Sequence, residues 1–132
     1  MKDLSDIVVL FVDDETETIG ALTRFLRREP YRKAFACSGE AALELMSGGN
    51  VDIVVSDVRM PNMSGKELIR IVKTRFPETI CLLTSGDNEI DQIVKSVGID
   101  NIFGFITKPI DADIFKRTIN SAIDYYYKNS DR

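Results

Sequence analysis

The chain has 132 residues, of which 44% are apolar and 29% charged, and a net charge of −4. That is the length of one ordinary domain with enough apolar content for its own core. The acidic balance argues against non-specific binding to nucleic acid or anionic lipid, and the absence of histidine excludes a histidine-based hydrolase triad or zinc site.

The opening, MKDLSDIVVL, carries charge where a signal peptide needs an apolar run. No apolar run approaches the ~20 residues that span a bilayer. A cytoplasmic location without membrane insertion is the expectation. Five short apolar runs follow in chain order: IVVLFV (7–12), KAFAC (33–37), VDIVVS (51–56), TICLLT (79–84) and IFGFIT (102–107). Near-continuous apolar strands suit a parallel sheet covered on both faces.

Helical spacing fills the intervals. Glu15 to Arg28 places Ile19, Leu22, Phe25 and Leu26 on one face, and Gly39 to Met46 places Ala42, Leu43 and Met46. Lys66 to Phe76 and Glu89 to Val97 repeat the pattern. Asp113 to Lys128 does so with Ile114, Phe115, Ile119, Ala122, Ile123 and Tyr126. All these apolar residues are expected in the core. Ser64 with Glu67 reads as a capping box, and Asp111 or Asp113 as the cap of the last helix. Cys37 and Cys81 sit in apolar runs and are expected to be buried, reduced thiols.

The order is strand then helix, five times over. Right-handed crossovers fold such a chain into an open parallel sheet with helices on both faces. Ligands then bind beyond the carboxyl ends of the strands. Asp13 and Asp14 end the first strand, Asp57 the third, Thr84 and Ser85 the fourth, and Lys108 the fifth. Three clustered carboxylates resist ionisation unless a cation joins them. Mg²⁺ prefers oxygen ligands. With Lys108 it would make the three acids a neutral set. Asp13-Asp14 alone could equally be a solvated strand end, with Glu15 favoured by the helix dipole. The matching residues on the other strands favour the metal site.

The pieces DD at 13–14, SDVRMPNMSG at 56–65, LLTSG at 82–86 and TKP at 107–109 resemble the response-regulator receiver domain of bacterial two-component systems. The resemblance covers about residues 6–128, so that 1–132 would be a single receiver domain. It implies a flavodoxin-like (βα)5 doubly wound sheet with strand order 2-1-3-4-5. It implies that Asp57 is the phosphoacceptor, a carboxylate nucleophile that becomes an aspartyl phosphate. Asp14, Asp57 and the backbone carbonyl of Arg59 would bind Mg²⁺, with Mn²⁺ as the alternative ion. Asp13 would act through a metal-bound water.

Lys108 would pair with a phosphoryl oxygen. Ser85 would donate a hydroxyl to another, in preference to Thr84, which would then point into the core. Phe105 matches the family's aromatic switch. Pro109 resembles its cis-proline. Pro61 and Gly65 look like the loop after the acceptor, Gly65 being expected to supply a positive φ. A sensor histidine kinase or phosphotransfer protein would donate the phosphoryl group. The face of the fourth helix, fifth strand and fifth helix would control a downstream protein or output domain. Such a domain is a signal-transduction switch. At most it takes up phosphoryl from small donors and loses it again. No direct nucleic-acid partner is implied.

Two departures stand out. The segment from Gly98 to Lys108 is longer than usual, and Phe103-Gly104 replaces acids that one DNA-binding subfamily uses for dimer contact. Arg59 and Asp87 sit two positions beyond Asp57 and Ser85, where they are expected to meet across the phosphoryl site and slow its hydrolysis. The rival from another class is a Mg²⁺-dependent, aspartyl-nucleophile phosphatase or phosphotransferase of the haloacid-dehalogenase kind. It needs an acid two residues after the nucleophile, where Asp57 is followed by Arg59. A flavodoxin-like electron carrier lacks its phosphate loop here.

Overall fold

A computed structural model of the chain describes residues 3–86 and 101–130. A 3-10 turn (Leu4–Asp6) leads into β1 (Val8–Val12), α1 (Thr16–Phe25), β2 (Arg32–Ala36) and α2 (Gly39–Gly48). There follow β3 (Ile53–Asp57), α3 (Gly65–Arg75), β4 (Ile80–Ser85), β5 (Gly104–Thr107) and a C-terminal helix (Ala112–Ser130). The predicted helix over 89–97 and Asp87 lie outside the described residues. All five strands join one sheet, in parallel, in the order β2-β1-β3-β4-β5. This is the flavodoxin-like order.

The strands alternate between two apolar layers. Val9, Phe11, Ile53, Val55 and Leu82 face one, while Leu10, Val12, Val54, Cys81 and Leu83 face the other. That is why each strand reads as a continuous apolar run. The first layer is closed by Leu22, Leu26, Phe115 and Ile119. In it the Phe11 ring lies 5.5 Å from Phe35 and 5.9 Å from Phe115. The second is closed by Ala42 and Met46 of α2 and Leu68, Ile69 and Val72 of α3. Each fully buried Leu, Ile or Phe contributes about 1.5–3 kcal/mol relative to exposure.

The caps follow the sequence. Ser64 Oγ accepts from the Glu67 N–H at 3.2 Å and lies 3.4 Å from Glu67 Oε1. Asp111, not Asp113, caps the C-terminal helix: its Oδ1 accepts from the N–H groups of Asp113 and Ile114. Two expectations are corrected. Cys37 is exposed, because β2 ends one residue before it, while Cys81 is buried inside β4. Ile114 is 51% exposed and belongs to no core layer, since it lies in the first turn, next to the cap. No helix among the described residues is long and apolar enough to cross a membrane.

Candidate phosphoryl and metal site

Every strand that carries a site residue ends at the same edge. β1 runs out into Asp13, whose N–H donates to the Ala36 carbonyl at 3.1 Å, tying it to β2. Asp13 Oδ1 accepts from the Glu15 N–H at 2.9 Å. This turns the chain into α1 and fixes the carboxylate. Glu15 occupies the cap position of α1 without a side-chain hydrogen bond. Asp57 is the last residue of β3, next to Thr84 of β4 in register. Asp13 and Asp57 are buried, and Asp14 is exposed.

One carboxylate oxygen from each of Asp13, Asp14 and Asp57 lies within 4.8 Å of the others. Lys108 follows β5, and its N–H donates to the Ser85 carbonyl at 2.9 Å. Its Nζ reaches Asp57 Oδ2 at 3.0 Å and stands 3.9 Å from Asp13 Oδ2. Burial holds the Asp13 carboxyl above the ordinary carboxylate range. The Glu15 N–H lowers it, Asp57 raises it, and Lys108 lowers it again. Three hard oxygen donors and one ammonium leave an excess of negative charge. The donor set fits a divalent cation such as Mg²⁺.

The two candidate hydroxyls differ. Thr84 lines a small internal space with Phe11, Val55 and Phe115, on the first core layer. Ser85 is the next residue, so its side chain leaves the opposite face of the strand. Its Oγ is buried and has no hydrogen-bond partner among the described residues. A buried hydroxyl without a partner costs stability and calls for an explanation. Phe105 is half-buried against the second layer and pairs in register with Leu83. The Lys108–Pro109 bond is cis.

The loop from Val58 to Ser64 carries Arg59, which is exposed, and Pro61. Here one expectation fails. Gly65 has no positive φ; the only non-glycine residue described with one is Asn62, at 70°. Gly65 is required for another reason. A Cβ there would stand 2.2 Å from the Asp57 carbonyl oxygen. Its N–H meanwhile donates to Val58 O at 2.9 Å. The sequence reading missed Asn62 as the turn residue, though Asn is the residue type most tolerant of that conformation after Gly.

The family model of the response regulator receiver domain matches residues 9–120. The chain belongs to that family. It is a receiver domain of two-component signalling, homologous to response regulators and to receiver segments of sensor kinases. The chain is 37% identical over 125 residues to the sensor kinase CckA of Brucella abortus, covering 92% of this chain and 13% of that protein. It is 33% identical to the hydrogenase transcriptional regulatory protein HoxA of Cupriavidus necator, covering 88% of this chain and 24% of that one. The receiver thus spans under a quarter of the length of these curated relatives. Among solved structures, the chemotaxis protein CheY4 of Vibrio cholerae aligns with a TM-score of 0.78 at 26% identity, covering 89% of this chain and 98% of that one.

Proposed function

We propose that this receiver is a Mg²⁺-dependent phosphoacceptor switch, with Asp57 as the acceptor. The observation that carries the reading is Lys108 Nζ 3.0 Å from Asp57 Oδ2, beside three carboxylates within 4.8 Å. Asp14, Asp57 and the Arg59 carbonyl would hold the ion, and Asp13 would reach it through water. When bound, Mg²⁺ supplies charge neutralisation for the incoming phosphoryl oxygens.

Asp57 acts as the nucleophile. Its carboxylate oxygen attacks the phosphorus of a phosphohistidine on a sensor kinase or phosphotransfer protein. The P–O bond forms as the P–N bond breaks, and the histidine nitrogen leaves with the bonding pair. Lys108 sits where its ammonium balances charge on the transferred group. Phosphoryl transfer asks a protein for little more than such positioning and charge. Ser85 Oγ has no hydrogen-bond partner among the described residues, whereas Thr84 lines the internal space of the first core layer, which favours Ser85 as the donor.

The added charge would draw Ser85 and Lys108 inward and shift an existing equilibrium, with Phe105 as the moving aromatic. A downstream protein or an output domain in the same polypeptide would read the change. CckA and HoxA, where similar segments belong to much longer proteins, are in keeping with the second arrangement.

The test is intact mass after incubation with Mg²⁺ and acetyl phosphate. One added phosphoryl group is expected. It should vanish without Mg²⁺ and in Asp57→Ala. An adduct that persisted in Asp57→Ala would move the acceptor elsewhere.

A further inference from the structure

The carboxylates end rigid strands, but the Arg59 carbonyl is carried by a loop. Val58 N–H donates to Thr84 O at 3.1 Å at one end of that loop, and Gly65 N–H returns to Val58 O at 2.9 Å at the other. Between them a local backbone bond runs from Met63 N–H to Pro61 O at 2.8 Å. Side-chain packing is part of what holds the middle of the loop in place. Asn62, with its φ of 70°, reverses the chain just before Met63. Met63 is then half-buried against the second core layer.

Its seat is Gly39, the first residue of α2. A Cβ built on Gly39 would lie 2.5 Å from Met63 Sδ, 2.9 Å from its Cγ and 3.1 Å from its Cβ. Gly39 is buried, and nothing about its own conformation requires a glycine, as its φ is not in the left-handed region. The glycine is there to admit Met63. The seat itself is fixed. Ser38 Oγ caps α2 by accepting from the Ala41 N–H at 3.0 Å, and two residues earlier the Ala36 carbonyl accepts from the Asp13 N–H.

We propose that Gly39 is a positioning residue for the cation site: by seating Met63 it registers the 58–64 loop, and with it the Arg59 carbonyl, against the strand ends that carry Asp13 and Asp57. The proposal rests on the phosphoacceptor reading above. Its logic is that α2 is held by its cap and that Met63 Cβ, which no side-chain rotation moves, would lie 3.1 Å from an added Cβ. A side chain at position 39 therefore presses on the loop backbone through Met63. The added methyl meets a half-buried neighbour, and overpacking is relieved where the structure gives most easily.

The experiment is a double-mutant cycle of Gly39→Ala and Met63→Ala, read as Mg²⁺ affinity by calorimetry, with the ion alone as probe. Amide chemical shifts of Arg59 and Met60 are recorded beside it. Gly39→Ala is expected to weaken Mg²⁺ binding about fivefold or more and to shift both amides. In the Met63→Ala background the same substitution should change affinity by less than about twofold, because the clash has no partner. Thermal unfolding separates this from a general loss of packing, which would lower the midpoint while leaving Mg²⁺ affinity intact. Should Gly39→Ala fail to fold, Met63→Ala carries the test. It empties the seat without touching α2, and it should shift the Arg59 and Met60 amides. Unchanged affinity in Gly39→Ala, or an equal loss in both backgrounds, overturns the proposal while leaving the phosphoacceptor reading standing. A wild type that binds no Mg²⁺ at all overturns both.

Discussion

Strand β3 is flanked by two buried acids, Asp52 before it and Asp57 at its end, each 6% exposed. They do opposite things. Asp52 laces the amino edge of the sheet together: Oδ2 accepts from the Val8 N–H at 2.9 Å, its own N–H donates to Val8 O, and its carbonyl accepts from the Ile80 N–H. Around it, Thr79 Oγ1 donates to Val51 O, and Lys73 Nζ donates to the carbonyls of Pro77 and Thr79. Among the described residues, Asp57 makes no comparable backbone closure with its side chain. It faces Lys108 and two further acids. At one edge, polar side chains complete the backbone. At the other, three acids gather around one lysine, leaving an excess of negative charge. Burial alone does not mark a functional carboxylate; what it is bonded to does.

The largest expected effect separates these two edges by their response to metal. Mg²⁺ at about 100 times its dissociation constant should stabilise the wild type by about 2.7 kcal/mol if, as proposed, it binds only the folded cluster. Asp52→Ala should keep that increment and Asp57→Ala should lose most of it. Denaturant unfolding with and without Mg²⁺ reads the difference. An increment that survived in Asp57→Ala would place the cation away from the strand ends.

The second effect runs the other way, in the absence of metal. Asp52→Ala should lower stability by about 1–3 kcal/mol, since the Val8 N–H loses its acceptor in a partly buried place. Asp57→Ala should change it by under about 1 kcal/mol, because relief of repulsion from Asp13 and Asp14 offsets the lost pairing with Lys108. Equal losses in both variants would mean that the carboxyl edge is as structural as the amino edge.

This contrast was only half legible in the sequence. The runs leading to Asp13, Asp57, Ser85 and Lys108 announced one edge, because each apolar run gives way to polar or charged residues at its carboxyl end. The five described strands and the caps at Ser64 and Asp111 follow from the same local signals. Asp52 gave no sign, since its role depends on Val8, 44 residues away in sequence. The reason for Gly65 was hidden likewise. A glycine after MPNMS reads as a turn residue, whereas its actual constraint is the Asp57 carbonyl oxygen 2.2 Å from where a Cβ would stand. Ile114 fitted the helical period and is still exposed, because periodicity fixes a face but not how far along the helix that face remains covered. What the sequence encodes locally was readable; what it encodes by close approach between distant segments was not.

The smallest effect concerns the two edges' hydroxyls, Thr79 and Ser85, both buried. Thr79 Oγ1 donates to Val51 O at 3.0 Å, and Ser85 Oγ has no partner among the described residues. Thr79→Val keeps the shape, removes the donor and leaves the carbonyl of Val51 with one bond fewer, so a loss of about 1 kcal/mol is expected. Ser85→Ala removes a buried hydroxyl with no partner among the described residues, so stability should stay level or rise by a few tenths of a kcal/mol. The same substitution should slow phosphoryl uptake from acetyl phosphate, since in the proposed switch the hydroxyl donates to the phosphoryl group. A destabilised Ser85→Ala with unimpaired uptake would show that the hydroxyl already has a structural partner. The distinction between a closed edge and an open one would then rest on the carboxylates and Lys108 alone.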